Sequence, residues 1–202
     1  MGKRLRPVPR AEAPAEVQEI YKEFFGDRDP VANPGTATGT PGDYWTTYAL
    51  VPDILKMSRA SLLAMLQPGR IVEPRFRELA ILRAAIVGDS RFEYSQHLKV
   101  ARMVGISEDK LAAIKGWITS DQFDAAERAV MAAADEMVGR NLIEDATFAN
   151  LKRHFNDAQI MEIVYVVALW RMHGMIVRAL HLEYDDDTTA RMQEIPAPPA
   201  HS

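Results

Sequence analysis

The sequence contains no cysteine. That absence removes disulfides, thiolate nucleophiles, cysteine-ligated zinc and thiol-dependent peroxidase chemistry together. Long apolar runs are missing too. The most apolar stretch, Ile163 to Trp170, is bracketed by Glu162 and Arg171 and falls well short of the roughly 20 residues that span a bilayer, so it reads as a buried helix and no membrane partner is expected. Charge of one sign is nowhere concentrated: Lys and Arg are scattered among acids at a net charge of -4, which makes nucleic acid an unexpected partner. The N-terminal MGKRLRPVPRAEAP is basic but lacks the apolar run of a signal peptide, and Arg6 stands where a myristoylation signal needs Ser or Thr. The expected location is cytoplasmic.

What is present is a chain of 202 residues, 48% hydrophobic and 26% charged, enough for one ordinary core without staples. Residues 1–50 hold many of the prolines and glycines, including NPGTATGTPGDYW at 33 to 45, and are expected to form a mostly irregular arm or lid with one short helix from about Pro14 to Phe25. From Pro52 onward apolar residues recur at three and four with no strand alternation, so the fold class is all-α and a helical domain is placed at 51–184. The remaining 185–202, within EYDDDTTARMQEIPAPPAHS, reads as a flexible, solvated tail.

Punctuation within the helical domain is clear. Stops are expected at Gly69, Gly88, Gly105, Gly116 and Gly139, with Pro74 in a first turn and Leu79, Leu82 and Ile86 forming a buried stripe. Ser90, Ser107, Asp124 and Asp145 open further helices, and Asp157 opens a long apolar one running to about Leu182. Both Ser90 with Glu93 and Asp124 with Glu127 have the spacing of a capping box, in which each side chain satisfies a backbone N–H of the other residue.

The stretch GDSRFEYSQH, residues 88 to 97, admits two readings. A capping box accounts for Ser90 and Glu93 but not for His97, which lies one turn further on and shares an inward arc with Tyr94, Leu98, Ala101 and Val104. A buried histidine needs a partner: a backbone carbonyl or carboxylate if it is structural, converging acids if it is functional. Glu78, one turn before Leu82, borders the buried stripe and is the candidate, against the plainer reading of an acid near a helix N-terminus.

These residues also carry a resemblance. RELAILRAAIVGDSRFEYSQHLKVARMVGIS resembles the core motif of the carboxymuconolactone decarboxylase family, which includes the alkylhydroperoxidase D-like proteins. FDAAERAVMAAADEMVGRN, DATFANLKRHFNDAQIMEIV and WRMHGMIVRAL are similar to that family's later helices, so the resemblance runs from about Val51 to Leu182 and implies an alkylhydroperoxidase D-like helical bundle. In the peroxidase-like branch a glutamate, a cysteine pair and a histidine form a relay. The resemblance places the acid on Glu78, the base on His97 and the two sulfur positions on Ser90 and Glu93, so a peroxidase-like stress protein is disfavoured.

The decarboxylase branch lacks the cysteine pair and keeps Glu-Tyr-x-x-His, here Glu93, Tyr94 and His97. It implies a lyase acting on a small carboxylated or lactone-like substrate by acid/base chemistry, with no organic cofactor and no metal. Loss of a carboxylate leaves electron density that must be protonated at carbon, and histidine supplies a proton near neutrality unaided. His97 is then the general acid/base, Glu93 or Glu78 fixes its tautomer, and the other glutamate shuttles a proton or orients substrate. A divalent cation held by the three would have two ligands a single turn apart with nothing else convergent. The resemblance further implies a homo-oligomer, a trimer or a hexamer of two trimers. The alternative is a non-catalytic, ligand-binding member with Glu93 as a cap and His97 in the core.

Several other residues are candidates for substrate binding. Tyr44 and Trp45, with Tyr48, either pin their segment or line a cavity; Tyr94 flanks His97; and Trp170 and His173 either line a pocket wall or, for His173, bond to a carbonyl. Glu162 shares the stripe of His173 and is expected to cap a neighbouring helix or pair with an arginine. Arg77, Arg83 and Arg171 suit a substrate carboxylate or solvent, and Met161, Met172 and Met175 suit core filling or a subunit interface.

Overall fold

The computed structural model describes residues 3–35, 43–66 and 69–183, and among them all regular structure is helical. The expected flexible tail, 185–202, lies outside the described residues. The chain divides into two compact units, Met1–Leu66 with Leu180–Ser202, and Gln67–Ala179.

The first unit holds a 3-10 turn at Arg10–Glu12 and the helices α1 (Ala15–Phe25), α2 (Asp43–Tyr48) and α3 (Pro52–Leu66). Helix α1 begins just after Pro14 and ends at Gly26, whose φ of 63° suits a residue without a Cβ. Its buried residues, Val17, Ile20, Tyr21 and Phe25, repeat at three and four. Helix α2 falls where irregular chain was expected. Its cause is aromatic: Tyr44 stacks on Tyr48 one turn later at 4.3 Å, Trp45 stacks on Phe24 at 4.1 Å, and the Tyr44 and Ser58 hydroxyls hydrogen-bond. Tyr44 and Trp45 therefore pin α2 to α1 and α3 within this unit.

The second unit is built round α4 (Pro74–Val87), with Pro74 in its first turn as expected. The sequence suggests a single buried stripe, but α4 is buried on every side. Phe76, Ala80 and Ala84 meet Ala129, Ala133 and Ala134 of α7 (Ala125–Arg140) and Ile163 and Val167 of α9 (Asp157–Leu180). Leu79 and Leu82 face the other way, onto Leu98 and Ala101 of α5 (Arg91–Met103) and onto Leu111, Ile114, Trp117 and Met131. The alanines let α7 approach α4 closely, and complete burial of Leu79 and Leu82 contributes about 2 kcal/mol each. Short helices at Glu108–Ala113 (α6) and Asp145–Leu151 (α8) close the connections.

Several helix ends differ from expectation in an instructive way. Gly88 ends α4 with an ordinary φ of -77°, and the left-handed residue is Asp89, with φ 51°. Gly88 is needed for closeness instead: a Cβ there would lie 2.6 Å from Arg171 Nη1 and 2.7 Å from the Ala84 carbonyl oxygen. Gly139 lies inside α7, which stops at left-handed Asn141. Helix α9 is opened by a reciprocal pair one residue earlier than expected, Asn156 with Gln159, and ends at Leu180.

Helix α9 has 24 residues and is long and apolar enough to cross a bilayer by those criteria alone, unlike the shorter run read from sequence. Half of its most apolar 18-residue stretch is buried in the protein, where Ile160, Ile163 and Val167 join the core. Glu162 accepts from the backbone N–H groups of Ile71 and Val72 at 3.3 and 3.4 Å and stands 3.8 Å from Arg77, the structural role expected of it. Met161, Met172 and Met175 are exposed, which excludes core filling.

Candidate active site

The sequence motif S-x-x-E at the start of α5 sets up the site by failing to close. Ser90 Oγ accepts from the Glu93 N–H at 3.4 Å, so the first half of the box forms. The second half does not: the Ser90 N–H donates to the Ala85 carbonyl at 2.8 Å, because the tight turn through Gly88 and Asp89 folds it back on α4. The Glu93 carboxyl is left free of capping duty. It is buried, with Oε2 3.8 Å from His97 Nε2 one turn along the helix.

The opposite nitrogen of the same ring faces α4. His97 Nδ1 donates to Glu78 Oε2 at 2.7 Å, and both side chains are buried. Glu78 therefore fixes the tautomer, placing the proton on Nδ1 and the lone pair on Nε2. That lone pair accepts a hydrogen bond from the indole N–H of Trp170 on α9, whose ring meets the imidazole edge to face at 5.2 Å. Because the two carboxyl groups lie on opposite ring nitrogens, they do not converge on one point where a cation would sit.

Trp170 reaches α5 because of Gly174, one turn later on α9. A Cβ at Gly174 would lie 3.1 Å from Ser90 Cβ and 3.6 Å from Glu93 Cγ, so the two helices touch where that residue has no side chain. Sequence reading did not single out Gly174. The available signal was its position one turn from Trp170, where a small residue permits close helix crossing.

Burial governs the electrostatics. It raises the Glu93 pKa from 4.5 to about 7, with the charge of His97 pulling the other way. For His97 burial works downward, but the charge and hydrogen bond of Glu78, helped by Glu93, raise its pKa above 6.5. The Trp170 donor opposes that rise, since it binds the unprotonated nitrogen. His173 lies beside Trp170, ring centroids 6.3 Å apart, and burial together with the charge of His97 pushes its pKa down to about 4. The site thus holds a neutral histidine, a histidine hydrogen-bonded to a carboxylate, and an acid poised to titrate near neutrality.

The remaining candidates are placed elsewhere. Tyr94 packs against the α4–α5 core with Lys115 Nζ 5.5 Å from its ring centre. Tyr44 and Trp45 belong to the first unit. Arg83 grips Asp135 at 2.7 and 2.8 Å and the Ile114 carbonyl at 3.0 Å, Arg77 holds the Val72 carbonyl at 2.7 Å, and Arg171 donates to the Gly88 carbonyl at 3.3 Å. These arginines brace backbone, a role the sequence did not suggest: the carbonyls held by Arg83 and Arg171 lie far along the chain, and that held by Arg77 lies five residues back, outside its helix.

Residues 52–136 match the carboxymuconolactone decarboxylase family. No curated protein matches the sequence. Among solved structures, the debrominase Bmp8 in complex with 2,3,4-tribromopyrrole is similar in fold at 15% identity and TM-score 0.72, over 93% of this chain and 95% of that one. An uncharacterized peroxidase-related protein from Silicibacter sp. TM1040 is similar at 18% identity and TM-score 0.72, over 95% of this chain and 98% of that one. A third, the alkylhydroperoxidase AhpD core of an uncharacterized peroxidase-related protein from Ralstonia eutropha JMP134, gives 16% identity and TM-score 0.70 over 91% and 95%. At these identities the likeness is one of fold, the alkylhydroperoxidase D-like helical bundle.

Proposed function

We propose that the chain, whose residues 52–136 match the carboxymuconolactone decarboxylase family, is an acid/base lyase acting on a small carboxylated or lactone-like substrate. The observation that carries this reading is the Glu78–His97 pair, 2.7 Å apart and buried, with Glu93 as a second acid at the opposite ring nitrogen. The substrate's carbon–carboxylate bond breaks, carbon dioxide leaves, and the electron pair left on carbon takes up one proton. Glu93, protonated below about pH 7, transfers its proton to His97 Nε2, which delivers it to that carbon. Glu78 keeps the ring oriented and stabilises the imidazolium that forms in between. One proton taken up from bulk solvent, the proton the reaction consumes, restores Glu93.

Trp170 and His173 would bound the substrate on the α9 side, an aromatic face beside a neutral donor, which favours a flat molecule. In this reading the protein works in the cytoplasm as a homo-oligomer, for which exposed Met161, Tyr165, Met172 and Met175 on α9 offer an apolar contact face. Light scattering on the purified protein measures that state directly.

The experiment is turnover of 4-carboxymuconolactone and a panel of unsaturated lactones and β-keto acids, followed by ultraviolet absorbance. Wild type should turn over at least one, and His97→Ala and Glu78→Gln should each lose about two or more orders of magnitude while remaining folded. An inert wild type, or variants as fast as wild type, would sink the proposal.

A further inference from the structure

We propose that Trp170 is a positioning residue that guards His97: its indole N–H occupies Nε2 in the resting site and is handed to an acceptor oxygen of the substrate when one binds. The inference rests on the acid/base reading of the same site and adds the device that decides when Nε2 becomes available.

The polarity of the contact leaves no other assignment. An indole nitrogen only donates, so the Trp170 contact requires Nε2 to be an acceptor. The Nδ1 proton is already committed to Glu78 Oε2. A ring protonated on both nitrogens would turn one N–H against another, so the imidazolium and the Trp170 hydrogen bond exclude each other. Glu93 Oε2, 3.8 Å from Nε2, is beyond direct hydrogen-bonding distance while the indole holds that nitrogen.

Substrate binding resolves the conflict. A carboxylate or lactone carbonyl oxygen placed beside Trp170 accepts the indole N–H, and Nε2 is then free to take the proton of Glu93. The exchange couples protonation of His97 to the presence of substrate and makes the empty site harder to charge than it would be without the indole. The groups that face His97 are Glu78 from α4, Glu93 from its own helix, and Trp170 with His173 from α9, and the exchange acts at Nε2, where the indole leaves and Glu93 can engage. It also selects for ligands with an oxygen acceptor at the edge of a flat ring, since an apolar ligand offers the indole nothing in return.

Nuclear magnetic resonance of the imidazole and indole nitrogens tests this without turnover. In wild type the Trp170 indole proton resonance should move upfield as pH falls through the His97 titration, because protonation of Nε2 removes its acceptor. In Trp170→Phe, His97 should bind its proton about tenfold more tightly, and the acidic limb of kcat/KM should move with it. An indole resonance that ignores the His97 titration overturns the guard, and so does a His97 proton affinity that is the same in both proteins. The wild-type titration stands even if the variant does not fold. An inert substrate panel beside a responsive indole defeats the lyase and leaves the guard; an active panel beside an unresponsive indole does the reverse.

Discussion

Two helices in the same unit begin with the same pattern, a short polar residue followed three places later by glutamate. At α7 the box is complete: Asp124 Oδ1 accepts from the Glu127 N–H at 2.8 Å and Glu127 Oε2 from the Asp124 N–H at 2.9 Å. Glu127 is fully buried, yet Lys110 neutralises it at 2.6 and 2.7 Å and Arg75 stands at 3.4 Å. At α5 only half the box forms, no Lys or Arg pairs with Glu93 among the described residues, and the acid turns to His97. One glutamate is tied into structure by three residues, Asp124, Lys110 and Arg75. The other keeps its carboxyl for chemistry, and its raised pKa is the consequence of burial without a cation.

The sharpest way to break this comparison is to neutralise each glutamate in turn. Glu93→Gln should lower kcat/KM by about a hundredfold, since it removes a proton donor, while stability at about pH 5, where wild-type Glu93 still holds its proton, changes by less than about 1 kcal/mol. Glu127→Gln should do the opposite. It leaves the charge of Lys110, with that of Arg75, facing a neutral amide and should cost about 2–3 kcal/mol in urea denaturation, with activity per folded molecule retained. Equal losses of activity in both variants would mean that the α5 acid has no special role.

The pH dependence sharpens the same contrast. Glu93 has a folded pKa of about 7 against an ordinary 4.5, so the folded chain holds its proton more tightly and this group favours folding at low pH. That contribution is fully present below about pH 4.5 and is lost as pH rises through about 7. His173, with its pKa lowered to about 4, works in the other direction between about 4 and 6.5 and is common to both proteins. Glu93→Gln should therefore gain stability relative to wild type between pH 5 and pH 8. A constant difference across that window would show that Glu93 ionises freely.

Much of this was legible in the sequence because it depends on local rules. Helical periodicity, Pro74 in a first turn, the Asp124–Glu127 box and the start of α1 each follow from residues within one or two turns. Glu78 and His97 were legible as a candidate pair from their helical faces and from the family resemblance. The rest depends on partners far along the chain. The Ser90–Glu93 box opens because Ala85 takes the Ser90 N–H, which no spacing rule anticipates. The Trp170 hydrogen bond is set by a helix crossing 73 residues away, and α2 forms because Tyr44 and Trp45 find Ser58 and Phe24.

A smaller effect is expected at the crossing itself. Gly174→Ala forces Ser90, packed at 3.1 Å, to yield by a few tenths of an ångström and should cost about 1–2 kcal/mol. The same displacement moves α9 at Trp170, so the indole proton resonance should shift as well. An alanine accommodated with no change in either would mean that α9 has freedom at this point and that the approach of Trp170 to His97 is not set by Gly174.

The smallest effect concerns the half-formed cap. Asp124→Ala removes one arm of a closed box together with the Arg75 contact at 3.0 Å and should cost about 1–2 kcal/mol. Ser90→Ala removes a single long hydrogen bond, 3.4 Å, and no reciprocal arm, so about 0.5 kcal/mol is expected from thermal denaturation. The ratio of the two is the informative quantity. Should Ser90→Ala cost as much as Asp124→Ala, the α5 box would be closed in solution, Glu93 would sit on the Ser90 N–H, and the acid beside His97 Nε2 would be withdrawn from the site. A cost well below that of Asp124→Ala keeps Glu93 where it can hand its proton to the histidine.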